Sequence, residues 1–186
     1  MLKDEAAELV KAFRQGDAQA FNRLVALYQG KVYNLAYSYV KDQEEARDLA
    51  QDIFVTVYRS LPGLKDPAKF SSWLYQTAIN HCRNRYRRLQ RRGFFETQSL
   101  DDEESPLQLA SGESLEKNIE EQQTASILRA ELAKMPEAEK EILILRDLQG
   151  LSYEEISETL QVPLGTVKSK LNRARLALKQ RLRHLL

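Results

Sequence analysis

The chain has 186 residues, with 28 Lys and Arg against 27 Asp and Glu and a hydrophobic content of 42%. That is enough for one packed domain or two small ones, and too apolar for a disordered or fibrous chain. No apolar run approaches the roughly 18 residues of a membrane span, and the start MLKDEAAELVKAF lacks the basic-then-apolar layout of a signal peptide, so a cytosolic protein without direct membrane insertion is expected. One cysteine, Cys82, and two histidines, His81 and His184, argue against a disulfide, a thiolate-rich metal site and a histidine-based triad, and no cofactor is expected.

The near-neutral total conceals three blocks. Residues 1–92 carry 16 basic and 10 acidic side chains, residues 93–123 carry 1 and 9, and residues 124–186 carry 11 and 8, for net charges of +6, −8 and +3. The acidic middle block, with Gly93, Pro106 and Gly112, reads as a flexible linker. Apolar residues recur at intervals of three and four throughout, as in Leu49, Ile53 and Val57 and again in Leu74, Ala78 and Cys82. The expected fold is therefore all-α: two small helical domains, 1–92 and 124–186, joined by the acidic linker 93–123. Helices are predicted over roughly 3–15, 18–40, 43–60, 67–91, 116–134, 137–149, 152–160 and 164–183.

In chain order, the first informative element is QEEARDLAQDIFVTVYRSL, residues 43–61. Leu49, Ile53 and Val57 face a core, while Asp48, Gln51 and Asp52, spaced i, i+3 and i+4, share another face. A proline-punctuated loop, LPGLKDPAKF, follows. The next helix opens with Trp73 and Tyr75 and finishes in Arg83, Arg85, Arg87, Arg88, Arg91 and Arg92, six arginines within ten residues and no acid. Aromatic rings beside a basic stripe suit single-stranded DNA, since rings stack on unpaired bases and guanidiniums hold phosphates. Near the C-terminus, Ser152 with Glu155 makes a capping box that starts a short helix with Ile156 and Leu160 inward. Pro163 cannot continue that helix but suits the first turn of another, so two helices meet at a tight corner. In the second, Val167 and Leu171 point inward, and Thr166, Lys168, Ser169, Lys170, Asn172, Arg173 and Arg175 offer donors outward, the residue types that contact bases and phosphates in a major groove. Leu143, Leu145 and Leu148 read most simply as core.

These blocks, taken in order, resemble the extracytoplasmic-function (ECF) sigma factors of bacterial RNA polymerase over nearly the whole chain. EARDLAQDIFVTVYRSL looks like the polymerase-binding helix of sigma domain 2, and FSSWLYQTAINHCRNRYRR like its promoter-melting and minus 10 segment. MPEAEKEILILRDLQGLSYEEI and VPLGTVKSKLNRARLALK look like domain 4, which reads the minus 35 element. The resemblance implies that Asp48, Gln51 and Asp52 dock on the basic coiled coil of the polymerase β′ subunit. It implies that the loop Pro62 to Lys69, with Lys65 and Lys69, pockets a flipped minus 10 base, and that Trp73, Asn80, Arg83, Asn84, Arg87 and Arg88 meet the melted strand. Arg146, Thr166, Lys168, Ser169, Asn172 and Arg173 would face the minus 35 duplex, with Lys170 and Arg175 on phosphates. Expected partners are core RNA polymerase through the β′ coiled coil and β flap, promoter DNA, and an anti-sigma factor that could hold the protein at the membrane. The family pattern often has glycine where Gln161 stands, alanine at Ser157 and aspartate at Asn84, and primary sigma factors carry a second tryptophan where this chain has Leu74.

Two other readings stand beside this one. A repressor with a sensing N-terminal half explains the helix-turn-helix but not the aromatic, basic helix or the carboxylate face. A nucleic-acid enzyme using Asp48 and Asp52 as metal ligands needs further ligands that the sequence does not offer.

Overall fold

A computed structural model describes residues 2–94, 127–128, 131–132 and 134–183. The chain divides into two compact units, one ending at Ser99 and the other beginning at Leu100. Among the described residues there are helices and turns and no strand, and no helix is long and apolar enough to cross a membrane. All but the first two residues of the predicted linker lie outside the described residues. So does most of the predicted helix 116–134, of which residues 127–128 and 131–132 are helical.

The first unit contains α1 (Leu2–Arg14), α2 (Ala18–Val40), α3 (Gln43–Ser60) and α4 (Phe70–Arg91). Its helix starts are set by short acidic side chains. The Asp17 carboxylate accepts from the backbone N–H of Gln19 at 2.9 Å, and that of Asp42 from Glu45 at 2.8 Å, satisfying first-turn donors that have no partner within the helix. Helix α2 is central and packs on α1, α3 and α4. The predicted core residues are buried as expected: Leu49 is 2% exposed, and Ile53, Val57, Leu74, Ala78 and Cys82 are fully buried. Each large apolar side chain so enclosed contributes about 1.5–3 kcal/mol.

Two details differ from expectation. The helix foreseen from residue 67 begins as a 3₁₀ turn, Pro67–Lys69, because Pro67 fits a first turn and Asp66 caps it through Ala68 N–H at 3.0 Å; α-helical pairing starts at Phe70. Tyr75, read as an exposed stacking ring, is 1% exposed and meets Tyr28 with ring centroids 6.5 Å apart. It is core, one position out of phase with the solvent face that Trp73 approaches.

The second unit contains α5 (Glu137–Leu143), a π-helical turn (Ile144–Leu148), α6 (Tyr153–Leu160) and α7 (Leu164–Leu182). The π turn is fixed by long-reach backbone bonds, Gln149 N–H to Ile144 C=O at 2.9 Å and Leu151 N–H to Leu145 C=O at 3.0 Å. It breaks the α register foreseen for 137–149. Leu143 and Leu145 are buried as expected, but Leu148 is 50% exposed, because the extra residue in the turn rotates it off the core face. Glu131 is buried and accepts from Lys134 at 2.6 Å, with Arg181 of α7 at 3.7 Å. The Lys134 hydrogen bond, with help from Arg181, holds its carboxyl below the usual range.

The corner between α6 and α7 follows the sequence closely. Ser152 Oγ accepts from Glu155 N–H at 3.2 Å and the Glu155 carboxylate accepts from Ser152 N–H at 2.8 Å, completing the capping box. Helix α6 ends at Gln161 in the left-handed region, φ 54° and ψ 44°. A side chain with a Cβ is strained there, which accounts for glycine in the family pattern. Gln161→Gly is expected to stabilise the protein by about 0.5–1 kcal/mol, seen as a higher denaturant midpoint with an unchanged slope; a lower midpoint would mean that the glutamine side chain outweighs its backbone strain.

Candidate nucleic-acid interface

Three surfaces in the first unit carry the residues singled out from the sequence. On α3, the buried residues Ala46, Leu49, Ala50, Ile53 and Val57 define one side, and Asp48, Gln51 and Asp52 lie exposed on the opposite one. Val55, 42% exposed, sits in the middle of that polar face. Sequence reasoning missed it, although a β-branched residue two positions from both Ile53 and Val57 is out of phase with the core and could have been noticed.

The second surface is the solvent side of α4. Trp73, Asn80, Asn84, Arg87 and Arg91 are spaced at 7, 11, 14 and 18 residues from the first and so form one stripe, opposite Leu74, Ala78, Cys82 and Leu89. Asn80, Asn84, Arg87, Arg88 and Arg91 are exposed, while Trp73 is half-buried with its ring centroid 6.2 Å from Phe70. Arg83 is also half-buried and lies beside the stripe rather than on it. The stripe therefore offers a ring at one end, two amides in the middle and guanidiniums at the other end, spread over about 27 Å at 1.5 Å per residue. Arg85 departs from its neighbours. Its Nη1 donates to Glu45 at 2.7 Å and its Nη2 to Asp52 at 3.2 Å, and its side chain is only 14% exposed.

The third surface is the loop before α4, which exposes Lys65 and Lys69 and buries Leu64. An open groove runs between it and the end of α1, lined by Phe13, Arg14, Pro62, Gly63, Leu64 and Lys65. Phe13 and Arg14 were not foreseen, since nothing in the local sequence links α1 to a loop some fifty positions on.

In the second unit, α7 buries Val167, Leu171 and Ala174. Ser169, Asn172 and Arg173 lie on the opposite side and are exposed, Lys168 is exposed on one flank, and Lys170 and Thr166 are half-buried on the other. Ser169 Oγ donates to the Thr166 carbonyl at 3.1 Å. The start of α7 has Pro163 at its cap and no side-chain cap bond, so first-turn N–H groups remain for an anion such as a DNA phosphate. Arg146 and Arg175 have partners within the fold. Arg146 donates to the Leu151 carbonyl at 2.7 Å and its guanidinium lies 4.9 Å from the Tyr153 ring centroid. Arg175 donates from Nε to Asp147 at 3.2 Å and from Nη2 to the other oxygen, a fork that raises the affinity of Arg175 for its proton. Both arginines thus brace the π turn and the entry to α6 against α7.

A helix-turn-helix with a polar outer face in one unit, and a helix bearing an aromatic, amide and guanidinium stripe in the other, define a helical DNA-binding protein. The comparisons with known proteins narrow that class. Residues 24–92 match Sigma-70 region 2 and residues 125–178 match Sigma-70 region 4. The chain is 33% identical to the RNA polymerase sigma-H factor of Pseudomonas aeruginosa, covering 100% of this chain and 98% of the relative. It is 34% identical to the ECF RNA polymerase sigma-E factor of Haemophilus influenzae, with the same coverage. The fold is similar to that of CnrH in complex with the cytosolic domain of CnrY, with a TM-score of 0.71 and 23% identity over 97% of this chain and 99% of that one. It is also similar to that of RpoE in complex with the anti-sigma factor NepR from Bartonella quintana, with a TM-score of 0.66 and 21% identity over 89% and 98%. The chain belongs to the ECF RNA polymerase sigma factors, alternative sigma factors that direct promoter-specific transcription initiation.

Proposed function

We propose that the first unit, taken as residues 1–92, docks on the β′ coiled coil of core polymerase through Asp48, Gln51 and Asp52 and captures the minus 10 region as a single strand. Lys65 and Lys69 of the loop and the α4 residues Trp73, Asn80, Arg83, Asn84, Arg87 and Arg88 make the strand contacts. The second unit, residues 124–186, reads the minus 35 duplex with Thr166, Lys168, Ser169, Asn172 and Arg173, with Lys170 on phosphate and the β flap as its polymerase partner. Arg146 and Arg175 serve this surface by bracing it, with any phosphate contact from Arg175 made beside Asp147. The protein acts in the cytoplasm by binding alone, and catalysis of RNA synthesis belongs to the polymerase. An anti-sigma factor, the kind of partner with which the Bartonella RpoE was solved, covers these faces when the protein is idle.

The observation that carries this reading is the α4 stripe. An initiation factor without chemistry of its own must hold DNA open by binding energy, and stacking worth about 1–3 kcal/mol per base together with phosphate contacts offsets the cost of unpairing. The test is permanganate footprinting of unpaired thymines in the holoenzyme. Asn80→Ala and an alanine-substituted Pro62 to Lys69 loop are each expected to open a cognate promoter more slowly and less completely than wild type. Opening at wild-type rate and extent by both would remove the minus 10 assignment from this segment.

A further inference from the structure

The arginine that departs from its run points to a function of its own. By composition Arg85 belongs with Arg87, Arg88 and Arg91 as a phosphate contact, yet its guanidinium is turned toward α3 and its side chain is only 14% exposed. From a single position on α4 it reaches two carboxylates seven residues apart on α3, Glu45 at 2.7 Å and Asp52 at 3.2 Å. Two turns of α3 are thereby tied to one point of α4. A planar guanidinium can present separate N–H groups to both acids, which the compact ammonium of lysine cannot do in the same geometry.

The exposures of the two acids differ. The Glu45 side chain is 26% exposed and the Asp52 side chain 62%. Asp52 is therefore held on its Arg85 side and open to solvent on the other. Charge balance preserves its usefulness: Glu45 offsets the arginine, so the three groups together keep a net charge of −1 and still attract a basic surface.

We propose that Arg85 is a positioning residue for polymerase docking, fixing the orientation of Asp52 before the partner arrives, and that it does not contact DNA. The proposal rests on Asp52 belonging to the polymerase-docking face. Orienting an interface side chain in advance removes part of the ordering cost of association. Asp48 and Gln51, which have no such tether among the described residues, complete the face, and Asp52 supplies its fixed point.

The sign of the effect separates this idea from simple electrostatics. Arg85→Gln makes the cluster more negative, so long-range attraction alone would tighten binding to a basic partner, whereas loss of positioning weakens it. Affinity of the full-length chain for core polymerase, measured by fluorescence anisotropy at fixed salt, is expected to fall about 3- to 10-fold for Arg85→Gln and for Arg85→Lys, the range that loosening one or two interface side chains produces. Glu45→Gln, which leaves Arg85 to neutralise Asp52, is expected to weaken binding as well. In the holoenzyme, the salt slope of single-stranded minus 10 DNA binding should stay at its wild-type value for Arg85→Gln and become shallower for Arg88→Ala, because only the latter loses a phosphate contact. Thermal melts accompany every variant; should Arg85→Gln melt far below wild type, the charge-preserving Arg85→Lys decides. Wild-type or tighter core binding by a folded Arg85→Lys or Arg85→Gln, or a loss confined to DNA with a shallower salt slope, overturns the proposal. Asp48→Arg with Asp52→Arg, run in parallel, separates the two levels: if that variant binds core normally, the docking face itself is wrong, and if it fails while Arg85→Lys binds normally, only the positioning role falls.

Discussion

Reversal of both acids, Asp48→Arg with Asp52→Arg, is expected to abolish detectable binding to core polymerase in a pull-down while the chain stays folded. Both side chains stand on the exposed side of α3, away from Leu49, Ile53 and Val57, so neither substitution touches the core. Juxtaposing like charges across an interface costs several kcal/mol, and each 1.4 kcal/mol is about tenfold in affinity; two reversals exceed the working range of the assay. The new residue at 52 also meets Arg85, whose Nη2 lies 3.2 Å from Asp52 in the native fold, so Asp48→Arg alone serves as the variant that leaves the Glu45 and Arg85 pair intact. Undiminished binding by the folded double variant would show that α3 docks nothing basic.

The second large effect is expected on α7. Lys168→Ala and Arg173→Ala should each weaken holoenzyme binding to a minus 35 duplex by about 1–3 kcal/mol and relax specificity at one position where the side chain reads a base. Lys179→Ala, two turns further along α7, should change little. Equal losses for all three would indicate a diffuse electrostatic contact. A salt series distinguishes the cases, since removal of a phosphate contact lowers the salt slope by about one ion while removal of a base contact leaves it in place. Arg175→Ala is a different experiment from these. Its fork to Asp147 means that truncation also strips a carboxylate within the π turn of its partner, so a loss there mixes stability with affinity and requires a melt for its reading.

What could be read in advance was local and periodic. The capping box at Ser152 and Glu155, the proline corner at Pro163, and the burial of Leu49, Ile53, Val57, Leu74, Ala78, Cys82, Val167 and Leu171 all depend on residues within one or two turns of each other, where helical spacing dictates the outcome. The site was legible to the same extent: the face of Asp48, Gln51 and Asp52 and the outer side of α7 follow from the same wheel. The direction of a long side chain did not follow. Arg85 has no acid within its own run, and the partners that turn it inward lie 40 and 33 residues away. Arg175 finds Asp147 from 28 residues away, and so reads in sequence as one more free cation. Leu148 and Tyr75 failed for a different reason. The first follows an inserted residue that shifts the helical phase, and the second faces Tyr28 across a core whose shape no single helix encodes.

The π turn at Ile144–Leu148 bears on how this unit can change length. Such a turn holds one residue more than the α-helix it interrupts, so it is a place where the chain already accommodates an insertion. Deleting one residue there would yield a smoother helix and a poorer protein. Arg146 and Asp147 both reach their partners from inside this turn, so closing it to α pairing would displace them from the Leu151 carbonyl and from Arg175 and leave the corner between α6 and α7 unbraced. The irregular turn works as a spacer that seats α7 through Asp147 and Arg175, and a chain shortened there is expected to keep its helices while losing affinity for a minus 35 duplex, checked by a melt and a binding titration run side by side.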